Sequence, residues 1–195
     1  MMLDKNMVMT NILMGDNFME NDYLKNIGFT QNEIQDLIEE VQNEIDTKVL
    51  HKKIKYLISL GLDARQIRIV IEENPLFITE DLEMMIKNMC IILKYLSKED
   101  IPICLEVSPE IITLNEGFLK ENINLMKNYV NDEELKVLLL DRGEVFTFIP
   151  DYLKKRIDFI KKINKEISIF NLILQDVEIF ELEEEEIDIE DLKQM

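Results

Sequence analysis

GLDARQIRIVIEENPLFIT at residues 61–79, YLSKEDIPICLEVSPEIIT at 95–113 and YVNDEELKVLLLDRGEVFT at 129–147 align without a gap, each 34 residues after the last. Asp63, Ser97 and Asn131 fall together, and each offers a side-chain acceptor suited to a helix N-cap. Gln66, Asp100 and Glu134 follow three residues later, the place where a capping box sets its second member. An apolar stripe then starts at Ile67, Ile101 and Leu135. It continues through Val70/Ile71, Cys104/Leu105 and Leu138/Leu139, the three-and-four spacing of one helix face. Pro75, Pro109 and Gly143 come next, at one aligned position, where proline lacks the amide hydrogen a helix interior needs and glycine frees the chain to turn.

After the break Ile78, Ile112 and Phe146 align, followed by Thr79, Thr113 and Thr147, which are candidate caps for the next helix or for a single turn. Met85, Leu119 and Leu153, then Ile92, Met126 and Ile160, lie seven apart and mark one face of a second helix. Each unit therefore reads helix, sharp break, helix. Pro102 falls five residues after the cap at Ser97, so that helix is expected to begin near Asp100 instead.

Working outward, GFTQNEIQDLIEE from Gly28 is an earlier unit at an offset of 33, with Thr30 as cap and Glu33 as box partner. Its second half keeps Leu50, Ile54 and Leu57/Ile58 but has no proline. A degraded unit follows the third, through Ile169, Ile173, Val177, Phe180 and Ile187. The alternation Val177, Ile179, Ile187, Ile189 also permits a short extended segment there. The fold class expected is all-α, a short α-solenoid of four to five helix–break–helix repeats of about 34 residues. Residues 1–26 form a Met-rich N-terminal capping segment, 27–165 the repeats, and 166–195 a capping repeat with an acidic tail.

A 34-residue period is also that of tetratricopeptide repeats, but those pack through small residues, and Ala64 is the chain's one alanine. The TPLH-like turn of ankyrin repeats is absent. The series Ile71, Pro75, Ile78, Met85, Ile92 instead resembles the repeat of the mitochondrial transcription termination factor (mTERF) family. Leu105, Pro109, Ile112, Leu119, Met126 resembles it equally, as does Leu139, Phe146, Leu153, Ile160 with Gly143 in place of the proline. The likeness is clearest over residues 61–163. It implies a helical solenoid whose first helices end in short turns, and a nucleic-acid-binding role.

Charge argues in another direction. The formal net charge is −18, and a field of that sign repels phosphate backbones and anionic lipid. Residues 171–195 hold half of it. First-helix segments sum to −4, 0, −2 and −2, and second-helix segments to +4, −1, 0 and +3, so the two helix rows are expected to differ in sign. Two basic clusters stand out: Lys48, Lys52, Lys53 and Lys55 beside His51, and Lys154, Lys155, Arg156, Lys161, Lys162 and Lys165. These are the candidate polyanion contacts, with solvated helix faces as the plainer reading. Glu183, Glu184, Glu185, Glu186, Asp188, Glu190 and Asp191 form a candidate acidic partner-binding tail.

No catalytic, cofactor or metal site is expected. His51 is the single histidine and reads as a surface residue; the five glycines are scattered and build no phosphate loop. Cys90 and Cys104 read as buried structural thiols of a reducing compartment. The N-terminal stretch lacks a signal peptide, and no run of 18 uncharged apolar residues marks a membrane span, so a cytoplasmic location is expected. The function expected is a non-enzymatic binding module for another protein. Nucleic-acid binding through the basic second helices is the alternative, and an acidic nucleic-acid mimic a further one.

Overall fold

The computed structural model describes residues 22–41, 45–182, 186–187 and 189–194. Among them there are helices and turns and no strand. The chain divides into two compact units, Met1–Thr113 and Leu114–Met195. In the first lie α1 (Asp22–Asn26), α2 (Gln31–Val41), α3 (Thr47–Ser59), α4 (Ala64–Glu73), the short α5 (Leu76–Thr79), α6 (Leu82–Ile92) and α7 (Ile101–Val107), with a 3-10 turn at Pro109–Ile112. In the second lie α8 (Glu116–Met126), α9 (Asp132–Asp141), α10 (Pro150–Ile163), α11 (Ile169–Gln175) and α12 (Ile189–Gln194), with 3-10 turns at Gly143–Phe146 and Val177–Phe180.

The helix starts are built as the spacing predicts. The side chain of Asp63 accepts from the Gln66 amide at 3.0 Å while Gln66 accepts from the Asp63 amide at 3.1 Å. Asn131 and Glu134 exchange the same pair of bonds, as do Thr30 and Glu33. Ser97 and Asp100 also form a box, but around a 3-10 turn, Lys98–Asp100, after which α7 begins at Ile101. Pro102 thus falls in the first turn of an α-helix, where its missing N–H costs nothing.

The break has one conformation in all four repeats that carry it. Asn74, Ser108, Arg142 and Asp176 end the first helices at φ between −137° and −155° and ψ between 42° and 86°. A following proline disfavours the α region and accounts for Asn74 and Ser108. Arg142 and Asp176 precede Gly143 and Val177 yet adopt the same shape, so packing holds it there. The chain then makes a single short turn. Thr79, Thr113 and Thr147 close that turn by donating to the carbonyls of Leu76, Glu110 and Glu144, at 3.3, 3.2 and 2.8 Å. They do not cap the next helix. Asp81 and Asn115 do that for α6 and α8, and Pro150 opens α10 without a side-chain cap.

Packing follows the repeat. Within the first unit α4 packs on α7, and within the second α9 packs on α11. Three second helices pack on the short turn of the following repeat: α6 on Pro109–Ile112, α8 on Gly143–Phe146 and α10 on Val177–Phe180. Those turns plug the core with an adjacent apolar pair, Phe77/Ile78, Ile111/Ile112, Val145/Phe146 and Ile179/Phe180, all buried. Three of the four pairs hold one aromatic, at the first position in Phe77/Ile78 and at the second in Val145/Phe146 and Ile179/Phe180, whereas Ile111/Ile112 is aliphatic at both.

Tyr23, Leu24 and Ile27 are buried at the N-terminal side of the described residues, while the methionines at 1–21, expected in a capping segment, lie outside them. Gly28 then turns at φ 104°, a conformation side chains rarely adopt, and its carbonyl receives the Arg68 guanidinium, which also pairs with Glu33 at 2.8 Å and Glu72 at 2.7 Å. At the C-terminal side Val177–Phe180 is a 3-10 turn, so the extended alternative there is not adopted. The terminal helix α12 packs on α10 through buried Leu192, and Asn164 donates to the Leu192 carbonyl at 3.0 Å. Among the described residues no helix is long and apolar enough to cross a membrane.

Candidate functional site

A buried hydrogen-bond donor occupies one position of every second helix from α3 to α10: Lys53, Asn88, Asn122 and Arg156. The Lys53 ammonium donates to the carbonyls of Phe77 and Ile78 at 3.0 and 2.7 Å. Asn88 donates to those of Ile111 and Ile112, both at 3.2 Å. Asn122 donates to those of Phe146 and Phe148 at 2.9 and 2.7 Å. The cause is the short turn itself. A one-turn helix leaves its last carbonyls without intrahelical donors, and here they are buried away from water. The neighbouring second helix supplies the donor. In the last repeat Arg156 donates to the Tyr152 hydroxyl at 3.1 Å and stacks on its ring, and that hydroxyl donates to the Glu181 carbonyl at 3.3 Å, just past the turn.

This ladder corrects the basic clusters. Lys53 and Arg156, expected among the polyanion contacts, are core residues with 0% and 5% of their surface exposed. Lys161 is half-buried and donates to the carbonyls of Lys165 and Ile167, which close the end of α10. Lys48, Lys52, Lys154, Lys155, Lys162 and Lys165 are exposed, and Lys55 is half-buried. His51 is not a plain surface residue either: its ring packs against Tyr23 at a centroid distance of 4.3 Å. The two clusters belong to different compact units. Of the acidic tail, Glu186 and Glu190 are exposed, Asp191 lies in α12, and Glu183, Glu184, Glu185 and Asp188 lie outside the described residues.

Burial depresses the Lys53 ammonium to about 8, against the pull of Glu80 and Asp81. The unfolded chain holds this proton up to about 10.5, so between about 8 and 10.5 it binds more protons than the folded one. Stability from this residue therefore rises with pH across that window, and the neutral amine keeps two N–H groups for two carbonyls. The expected result is that the wild type gains urea resistance relative to Lys53→Met between pH 7.5 and 10. A constant gap between the two proteins would contradict it.

One of the two thiols differs from expectation. Cys104 is buried and pushed up to about 12 by that burial, whereas Cys90 is exposed; both are free. Among the described residues no group of three or more His, Cys, Asp or Glu side chains gathers to hold a metal ion.

Sequence reasoning did not single out the edge formed by α4, α5, α7 and the turn after it. Ile69, Glu73 and Leu76 make one row, and Ile103, Val107 and Glu110 stand 34 residues later as the next. Leu76, Ile103 and Val107 keep 56%, 51% and 43% of their surface exposed, Glu73 and Glu110 are exposed, and Ile69 is half-buried. The rows are tied together. α4 packs on α7, and Asn74 donates to the Pro109 carbonyl at 3.1 Å, two residues from Leu76 on one side and from Val107 on the other. Lysine and arginine are absent from 69–86 and from 99–119. The signal in the sequence was an aliphatic at position 76 where the other repeats carry Glu110, Glu144 and Glu178.

The family model for mTERF matches residues 7–174, most of the chain, and ends within the first helix of the last repeat. The chain belongs to the mTERF family. No curated protein matches it. For an mTERF chain, the repeated proline is here replaced at Gly143 and Val177 without loss of the break, and the ladder of buried donors marks the repeat as consistently as the proline does.

Proposed function

We propose that this mTERF chain is a non-enzymatic repeat module that binds another protein through the aliphatic edge of its first unit. The observation that carries the reading is the exposure of Leu76, Ile103 and Val107 on α5 and α7, two elements that both pack on α4. Exposed aliphatics clustered on rigid helices favour protein contacts. The scarcity of candidate catalytic groups and the free thiols suit a non-enzymatic, cytoplasmic protein. A photo-crosslinking residue at position 103 should yield discrete protein adducts in cells, and the same residue at 155 should not. Adducts only at 155 would reverse the assignment.

Nucleic-acid binding is the second reading. It is supported by the family, whose members often bind nucleic acid, and by the exposure of Lys154, Lys155, Lys162 and Lys165. Under it, labelled DNA or RNA binds at low salt and Lys154→Glu with Lys155→Glu abolishes binding, with a steep salt dependence in the wild type. Arg156 is left unchanged in that variant because it is part of the core.

A further inference from the structure

We propose that the edge carrying Leu76, Ile103 and Val107 docks a basic amphipathic helix of a partner protein, an inference that rests on the protein-binding reading above. The apolar half of the argument is geometric. Ile103 and Val107 stand at i and i+4 on α7, the spacing that puts two side chains on one strip of helix surface. Leu76 lies on the neighbouring row, close to Val107 through the Asn74–Pro109 bond. A row of aliphatic side chains one turn apart is what the i, i+3, i+4 anchors of an amphipathic helix pack against.

The polar half is charge complementarity. Each row contributes one exposed carboxylate, Glu73 and Glu110, set diagonally across the two rows. Glu72 and Glu106 stand beside them, each engaged with an arginine of α4, Arg68 and Arg65. Arg65 and Arg68 of α4 and Lys98 of the 3-10 turn before α7 precede the two rows in sequence, and no Lys or Arg follows until 87 and 120. A partner helix bearing lysine or arginine along its flanks meets carboxylates here, while an acidic one meets repulsion.

Other occupants fit less well. Residues 1–21 of this chain carry Asp4, Asp16 and Glu20 against Lys5 alone. A second copy offers two basic amphipathic helices among the described residues, α3 and α10, and their apolar faces, Leu50, Ile54 and Leu57 in one and Leu153, Ile157 and Ile160 in the other, are buried in the fold. Nucleic acid brings phosphates to rows that carry no Lys or Arg from 69 to 76 or from 103 to 110 and whose neighbouring arginines, Arg65 and Arg68, are already paired with Glu106 and Glu72. The corresponding row of the next repeat, Val137, Asp141 and Glu144, has one aliphatic and two acids and follows with Arg142, so the patch is particular to the first unit.

The test uses the full chain and three labelled peptides of about five helical turns. One has a leucine face flanked by lysines, one has the same face flanked by glutamates, and one is a scrambled version of the lysine peptide. Fluorescence anisotropy should show the lysine amphipath binding at least about tenfold tighter than either of the others. Its Kd should rise about tenfold in Leu76→Ser/Ile103→Ser/Val107→Ser and in Glu73→Lys/Glu110→Lys, both checked by circular dichroism for an intact fold. Ile149→Ser, at an exposed aliphatic of the second unit, should leave it unchanged. Equal binding of the scrambled peptide, or an unaltered Kd in the triple serine variant, overturns the proposal. Equal binding of the glutamate amphipath, lost in the triple variant, overturns the basic partner and leaves a protein-binding edge standing. No binding by any peptide together with nucleic-acid binding lost in Lys154→Glu/Lys155→Glu overturns the protein-binding reading itself.

Discussion

Asn122→Ala is expected to destabilise the second unit by about 2–4 kcal/mol, a large effect for a single amide. Asn122 is fully buried, and its side-chain nitrogen donates to the carbonyls of Phe146 and Phe148. Alanine leaves both acceptors facing the core without that donor, and each buried unsatisfied polar group costs about 1–3 kcal/mol. A small cavity adds to the loss. Asn122→Asp keeps the volume but replaces the donor by an acceptor opposite two carbonyls, so it should be at least as damaging. Asn124→Ala, on the exposed side of the same helix, should change little. Urea unfolding followed by circular dichroism measures all three. A loss below about 0.5 kcal/mol, the size of an ordinary surface substitution, would mean that the ladder does not hold the turns in place.

Lys53→Ala carries the second large effect. Most of this side chain is stem, fully buried, with the ammonium 5.9 Å from the centroid of the Phe77 ring and bonded to two carbonyls. Truncation removes packed methylenes and both hydrogen bonds, so a loss of about 3–5 kcal/mol is expected, in the range of large-to-small core changes. Lys53→Met separates the two causes, since it keeps the stem and removes only the donor. It should recover part of the loss, and it escapes the cost of holding a charge in the core. Binding experiments give an independent reading. Because Lys53 is inside the fold, Lys53→Met should leave any affinity for nucleic acid unchanged at temperatures where the protein stays folded, whereas Lys52→Met, one residue away and exposed, would lower it if that helix contacts phosphate. A selective loss of affinity in Lys53→Met with unaltered stability would return Lys53 to the surface.

The two substitutions also show where sequence reading stops. Capping boxes, stripes and breaks were legible because each is local. Asp63 and Gln66 meet within one helical turn, and Pro75 acts on its own backbone, so their spacing along the chain already contains the geometry. The 34-residue step then multiplied that local signal. Pro102 was legible as a difficulty and became clear with the 3-10 turn before it, since a shift of three residues is enough to move a proline from a helix interior into a first turn.

The donors were not legible as donors. Lys53 and Arg156 sit among other cations, and composition alone reads such runs as exposed; only the packing of α3 and α10 against their neighbours turned one residue of each run inward. Asn88 and Asn122 carry no charge and attract no notice in a helix, although the 34-residue step between them was available to find them.

By itself, then, the sequence determined the helices, their starts, their breaks and their repetition, because those depend on hydrogen bonds and backbone preferences within a few residues. The tertiary structure alone decided which polar side chains face inward, which aliphatics remain outside and how the short turns are satisfied. Those properties depend on what the next repeat places opposite each side chain: residues some 24 positions away for Lys53 and Asn122, and a row 34 positions away for Leu76.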